Sequence, residues 1–117
     1  MMLRKVRIAI PTKGKAGLDD FVSDVFGKAK FFTIIDIEDG TIQNVKVIDN
    51  PAASYEYGAG PIAVKSLVDR RVDMVIAAEF GPCVSTLLDQ HEITRIKVSK
   101  GARVSESVKN ALSQIQK

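Results

Sequence analysis

The residues VDMVIAAEFGPCVSTLL, from Val72 to Leu88, constrain the fold more than any other stretch of the chain. After Asp73 the run is apolar through Ala78, the pattern of a strand buried on both faces in a parallel arrangement. Glu79-Phe80-Gly81 interrupts it. Pro82 then suits a first helical position, where its missing N–H costs nothing. Val84, Leu87 and Leu88 follow at the i, i+3, i+4 spacing of one helix face. A buried strand, a tight Gly-Pro corner and an amphipathic helix make half of an α/β unit. The chain's single cysteine, Cys83, stands in the first turn of that helix.

The rest of the chain fits around this unit. RKVRIAI at 4–10 reads as a first strand entering the core, and Pro11–Gly17 (PTKGKAG) as a basic loop with two glycines. Leu18–Lys30 is expected to hold a short helical turn that starts at Asp19 or Asp20 and stops at Gly27. Phe21, Val22, Val25 and Phe26 are expected to plug the edge of the core. Phe31–Ile37 reads as a second strand, Asp39-Gly40 as a hairpin turn and Thr41–Asp49 as a third strand that ends at Asn50-Pro51. The second half changes rhythm. Pro61–Arg70 reads as a helix with Ile62, Ala63, Leu67 and Val68 inward, followed by a strand at Val72–Ala78 and a helix at Pro82–Gln90. Ile93–Val98 is a fifth strand. Val104, Val108, Ala111, Leu112 and Ile115 form the apolar stripe of a last helix.

The order is therefore β-β-β-α-β-α-β-α. Three strands form an antiparallel meander, and right-handed crossovers through the helices add two parallel strands. The expected architecture is a three-layer α/β/α fold with a mixed five-stranded sheet of order 3-2-1-4-5, as in ribonuclease-H-like domains. A flavodoxin-like sheet does not begin with three successive strands.

At 117 residues, one domain spanning 1–117 is expected, large enough to bury a core without disulfides. The lone cysteine excludes a disulfide framework within the chain and fits a reducing cytoplasm. The net charge of +3 is modest. Arg4, Lys5, Arg7, Lys13 and Lys15 could face an anion or a nucleic acid, but they also read as a solvated strand edge and loop, and no nucleic-acid partner is expected. The apolar run Val6–Ile10 is too short for a signal peptide, and no stretch reaches membrane-spanning length.

Chemistry is expected where helices start. Gly58-Ala59-Gly60-Pro61 and Gly81-Pro82-Cys83 open two helices in the same way. In parallel α/β units such starts gather at the carboxyl ends of the strands, where ligands bind. Each offers free N–H groups and a partial positive charge to an anion, and glycine lets a ligand approach the backbone. The same Gly-Pro pairs are also ordinary helix-start punctuation. Cys83 has two readings as well. A thiolate there would be a nucleophile or a soft-metal ligand, whereas most free cysteines are small buried apolar residues.

His91 follows the far end of the same helix and cannot serve Cys83 as a base, which argues against a Cys-His hydrolase. Glu79 and Asp36 are too few carboxylates for a two-metal nuclease. Tyr55 and Tyr57 could wall the crevice beside Gly58, or serve as loop or interface aromatics.

Taken together, RIAIPTKG, VSDVFGKAKFFTIIDIEDG, Asn50-Pro51, GAGP at Gly58–Pro61 and VDMVIAAEFGPCVSTLL resemble the dinitrogenase iron-molybdenum cofactor biosynthesis family, which includes NifX-like cofactor carriers. The resemblance covers nearly the whole chain and implies the same ribonuclease-H-like fold. It implies a non-enzymatic carrier that binds an anionic iron-sulfur or iron-molybdenum cluster precursor and passes it to cofactor-assembly proteins. Gly58, Gly60, Gly81 and Cys83 are the expected binding residues, with Cys83 as the metal ligand, in a monomer or a homodimer. One departure stands out. Relatives often carry a histidine before the Phe-Gly that matches Phe26-Gly27, and here that position is Val25. A cysteine-dependent enzyme or redox protein, and a scaffold without cofactor, are the alternatives.

Overall fold

The computed structural model describes residues 5–115. Arg4, placed by the sequence at the start of the first strand, lies outside them, as does the side chain of Ile115. The elements run β1 (Lys5–Thr12), β2 (Phe31–Glu38), β3 (Thr41–Asp49), α1 (Ala59–Asp69), β4 (Met74–Ala77), α2 (Pro82–Gln90), β5 (Thr94–Lys97) and α3 (Val104–Ile115). The sheet has the order β3-β2-β1-β4-β5. β1, β2 and β3 pair antiparallel, and β4 and β5 extend the sheet parallel to β1. The mixed five-stranded α/β sheet expected from the element order is the one observed.

Side chains alternate across the sheet with the period of two that strands impose. Ala9, Phe32, Ile34, Val75 and Ala77 face one layer, where Ala59, Ala63, Val64 and Leu67 of α1 and Val84 and Leu88 of α2 pack. Ile8, Ile10, Ile35, Ile37, Met74 and Ile76 face the other, closed by Val104, Val108 and Ala111 of α3 together with Val22. Helices thus cover both faces. The β2–β3 hairpin turns at Asp39 (φ 52°) and Gly40 (φ 82°), the left-handed pair that a two-residue type I′ turn requires.

Two local expectations are corrected. β1 continues past Ile10 to Thr12, because Pro11 and Thr12 still pair with Phe32 and Phe31. Residues 18–27 contain no helix beyond a single 3-10 turn at Gly17–Asp19. Asp20 ends that turn: its carboxylate accepts hydrogen bonds from the N–H groups of Ala16 (2.9 Å) and Phe21 (2.8 Å). The chain then runs extended. Val22 N–H donates to the Ala102 carbonyl and Ser23 N–H to the Pro11 carbonyl, both at 2.8 Å, so long-range pairing wins over a helix. In consequence only Val22 and Phe26 enter the core, and Phe21 and Val25 are exposed.

Candidate functional site

The strand directions place the carboxyl ends of β1, β3, β4 and β5, and the amino end of β2, at one end of the sheet. The loops 13–30, 50–58, 78–81 and 98–103 all emerge there. So do the first turns of α1 and α2, which lie on the same face of the sheet.

α2 starts where the sequence puts it. Gly81 is its N-cap in extended conformation (φ −67°, ψ 163°), Pro82 is the first helical residue, and Ser85 N–H donates to the Gly81 carbonyl at 2.9 Å. The N–H groups of Cys83 and Val84 therefore have no acceptor within the helix. α1 starts two residues earlier than Pro61. Gly58 caps it in the left-handed region (φ 75°), and Ile62 N–H donates to the Gly58 carbonyl. That conformation is open to glycine at little cost and makes the earlier start possible. Ala59 and Gly60 supply the free N–H groups of this turn. Neither helix has a side-chain cap.

The two starts touch. A Cβ on Gly60 would come within 2.8 Å of Val84 Cγ2. Gly27 roofs the same turn, since a Cβ on Gly27 would lie 3.0 Å from the Gly60 nitrogen. Gly60 is thus a packing glycine, pressed between Val84 and Gly27. Around Gly58 and Gly81 the space is open. Cys83, beside Val84, is exposed, which sets aside its reading as a buried apolar residue. Phe26 ties the roof to α2: its ring lies 5.4 Å from Phe32 and 6.3 Å from Phe80, the residue before Gly81. The structure therefore brings Gly58, Gly60, Gly81 and Cys83 to one corner at the carboxyl end of the sheet.

Other candidates fall elsewhere. His91 is the C-cap of α2, at the opposite end of that helix from Cys83. Asp36 is held by the Arg7 guanidinium at 2.7 Å, its cross-strand partner toward the end of the β1–β2 ladder away from the corner. Tyr55 and Tyr57 are exposed on the loop before Gly58, Tyr57 by 84%. A groove of about 550 Å³ opens at the other end of the sheet, among Lys5, Arg7, Asp36, Glu38, Arg71 and Asp73. Its charges balance, and it holds none of the glycine corners. Among the described residues, no three His, Cys, Asp or Glu side chains stand together as metal ligands.

One residue carries more than its sequence position suggests. Asn50 reads there as a strand terminator. In the structure its buried carboxamide binds the loop that roofs Gly60, through the carbonyls of Gly27 (2.9 Å) and Ala29 (2.8 Å). The only local signal was the Asn-Pro pair, which marks a turn without naming distant partners.

Residues 4–114 match the family model described as dinitrogenase iron-molybdenum cofactor. The chain belongs to that family. An uncharacterised protein of Methanocaldococcus jannaschii is 26% identical over 90 residues, covering 77% of this chain and 72% of its own length. Among solved structures, a Thermotoga protein provisionally named NifB is 35% identical, with a TM-score of 0.73 over 93% of this chain and 88% of its own. The apo form of the orange protein from Desulfovibrio gigas shares the fold, with a TM-score of 0.83 over 97% and 92% of the two chains at 24% identity. Membership of the iron-molybdenum cofactor family ties the chain to the biosynthesis or binding of that cofactor. No helix among the described residues is long and apolar enough to cross a membrane.

Proposed function

We propose that this protein is a non-enzymatic carrier that takes up an anionic metallocluster, of the iron-sulfur or iron-molybdenum precursor type, and passes it to a cofactor-assembly partner. The observation that carries this reading is the meeting of the α1 and α2 first turns at Gly60 and Val84, directly beside the exposed Cys83. Two helix starts at one corner present free N–H groups and two positive dipole ends to a single anion. Cys83 adds one soft ligand for iron. Gly58 and Gly81, with open space where a side chain would stand, allow a cargo to reach the backbone.

The donor set also defines the cargo. A cluster assembled on the protein needs several cysteine or histidine ligands, whereas the chain has one cysteine and no triad of ligating side chains among the described residues. These residues fit a cluster that arrives already built, with sulfide bridges of its own, and is held by one thiolate and backbone N–H groups. Such a grip suits transfer, because only one protein–metal bond must break. A reducing cytoplasm, which keeps a lone thiol free, is the compartment this reading implies.

A cysteine-dependent enzyme fits less well. The sole histidine caps the far end of α2, so Cys83 has no imidazole base beside it. Anaerobic incubation with a preformed iron-sulfur cluster, supplied as its small-thiolate complex, tests the proposal. Charge-transfer absorption and bound iron after desalting support it, and a colourless, iron-free protein contradicts it.

A further inference from the structure

Asn50 is 4% exposed and makes five hydrogen bonds. Its side-chain Nδ2 donates to the carbonyls of Gly27 (2.9 Å) and Ala29 (2.8 Å), and its Oδ1 accepts from Ala52 N–H (2.9 Å). Its own N–H donates to the Lys30 carbonyl, and its carbonyl accepts from Ala53 N–H. The carboxamide has two N–H donors and uses both, while its oxygen serves the next loop. One side chain therefore joins the loop leaving β1 to the loop that leads into α1.

The joined segments bear on the cargo corner directly. Gly27 is held by the Asn50 amide on one side and lies against Gly60 on the other, so close that no side chain fits between. Phe26, its neighbour, packs on Phe80 at the entry to α2. We propose that Asn50 is the positioning residue of the cargo corner. It fixes residues 27–29, and through Gly27 it fixes the first turn of α1 against α2, so that the free N–H groups of the two helices point at one ligand. This role rests on the carrier reading above.

The geometry makes an asymmetric test. Asn50→Asp keeps the volume and the acceptor for Ala52, but turns two donors into a carboxylate oxygen facing two carbonyls. Gly27→Ala leaves Asn50 intact and pushes on Gly60 directly. Both variants should move the amide resonances of Gly27, Ala59 and Gly60 in the apoprotein and leave those of β4 and β5 in place. After incubation with the same preformed cluster, iron retention by Asn50→Asp should fall about tenfold or more, the scale expected when two buried hydrogen bonds are lost.

The double variant should lose no more than the worse single one, because both act through the same contact. A purely structural role would give losses of iron retention that track thermal stability across the variants. If Asn50→Asp does not fold, Asn50→Ser, which keeps an acceptor for Ala52, serves in its place. Unmoved Gly60 resonances, or full iron retention by the Asn50 variant, overturn the positioning role while the carrier reading stands. Wild-type protein that takes up no iron overturns the carrier reading, and the positioning role with it.

Discussion

Gly60 and Val84 touch so closely that a Cβ at position 60 would fall 2.8 Å from Val84 Cγ2. Through this contact the first turns of α1 and α2 become one surface. In an ordinary helix, alanine would be more stable than glycine by about 1 kcal/mol. Here the added methyl meets a β-branched side chain with little freedom to turn away.

The first prediction follows from that contact. Gly60→Ala should destabilise the fold by about 1–2 kcal/mol, the cost of overpacking less the gain in helix propensity. Val84→Ala should cost less in that variant than in the wild type, because it relieves the same contact. Denaturant unfolding of the two singles and the double checks this, and a Gly60→Ala protein as stable as wild type contradicts the packing.

Gly58 and Gly81 should respond differently. Gly58 sits at φ 75°, where a side chain costs about 1–2 kcal/mol, so Gly58→Ala should lower stability by that amount. Gly81 sits at φ −67° with open space around it, so Gly81→Ala should cost only about 0.5–1 kcal/mol, the preference of an N-cap for glycine over alanine. The new methyl at position 81 should nevertheless reduce iron retention, because the proposed carrier site brings the cargo against this backbone. Thermal melting and iron content, measured side by side, separate the two effects.

Arg7 and Asp36 provide the control. Their pair is part-exposed, and Arg7 also donates to the Arg70 carbonyl at 2.6 Å, all away from the corner. Arg7→Ala should cost about 1 kcal/mol and leave cargo uptake unchanged. A fall in iron retention beyond that stability loss would place the site elsewhere, toward the charged groove that Arg7 lines.

Val25 offers a gain of function. It is 50% exposed, and the adjoining Phe26 packs toward Phe80 at the start of α2. Val25→His should fold with stability within about 0.5 kcal/mol of wild type. An imidazole on this segment should raise iron retention by supplying a second ligand. Equal retention by the variant and the wild type would show that position 25 does not reach the cargo.

The parts of the fold legible in the sequence are those fixed by local rules. The β4–Gly81-Pro82–α2 unit was legible because an apolar run, a Gly-Pro break and an i, i+3, i+4 stripe are all local signals. Asp39-Gly40 was legible for the same reason, as a turn that demands two left-handed residues. Residues 18–30 were not. Their path is set by Val22 bonding to Ala102, Ser23 to Pro11 and Asn50 to Gly27 and Ala29, partners that no short window contains. The corner itself was legible as two glycine-proline helix starts and a cysteine. That Gly60 serves packing while Gly58 and Gly81 stay open depends on Val84 and Gly27, and so needed the tertiary structure.

The central claim is that Cys83 and the two helix starts hold a preassembled cluster. The most direct test compares wild-type and Cys83→Ala protein after anaerobic incubation with a preformed iron-sulfur cluster in its small-thiolate form, reading iron content and absorption of the desalted samples. Because Cys83 is exposed, the substitution should leave the melting temperature unchanged. Wild-type protein should hold stoichiometric iron with charge-transfer bands, and the variant should show neither. Equal iron in both proteins would contradict that claim.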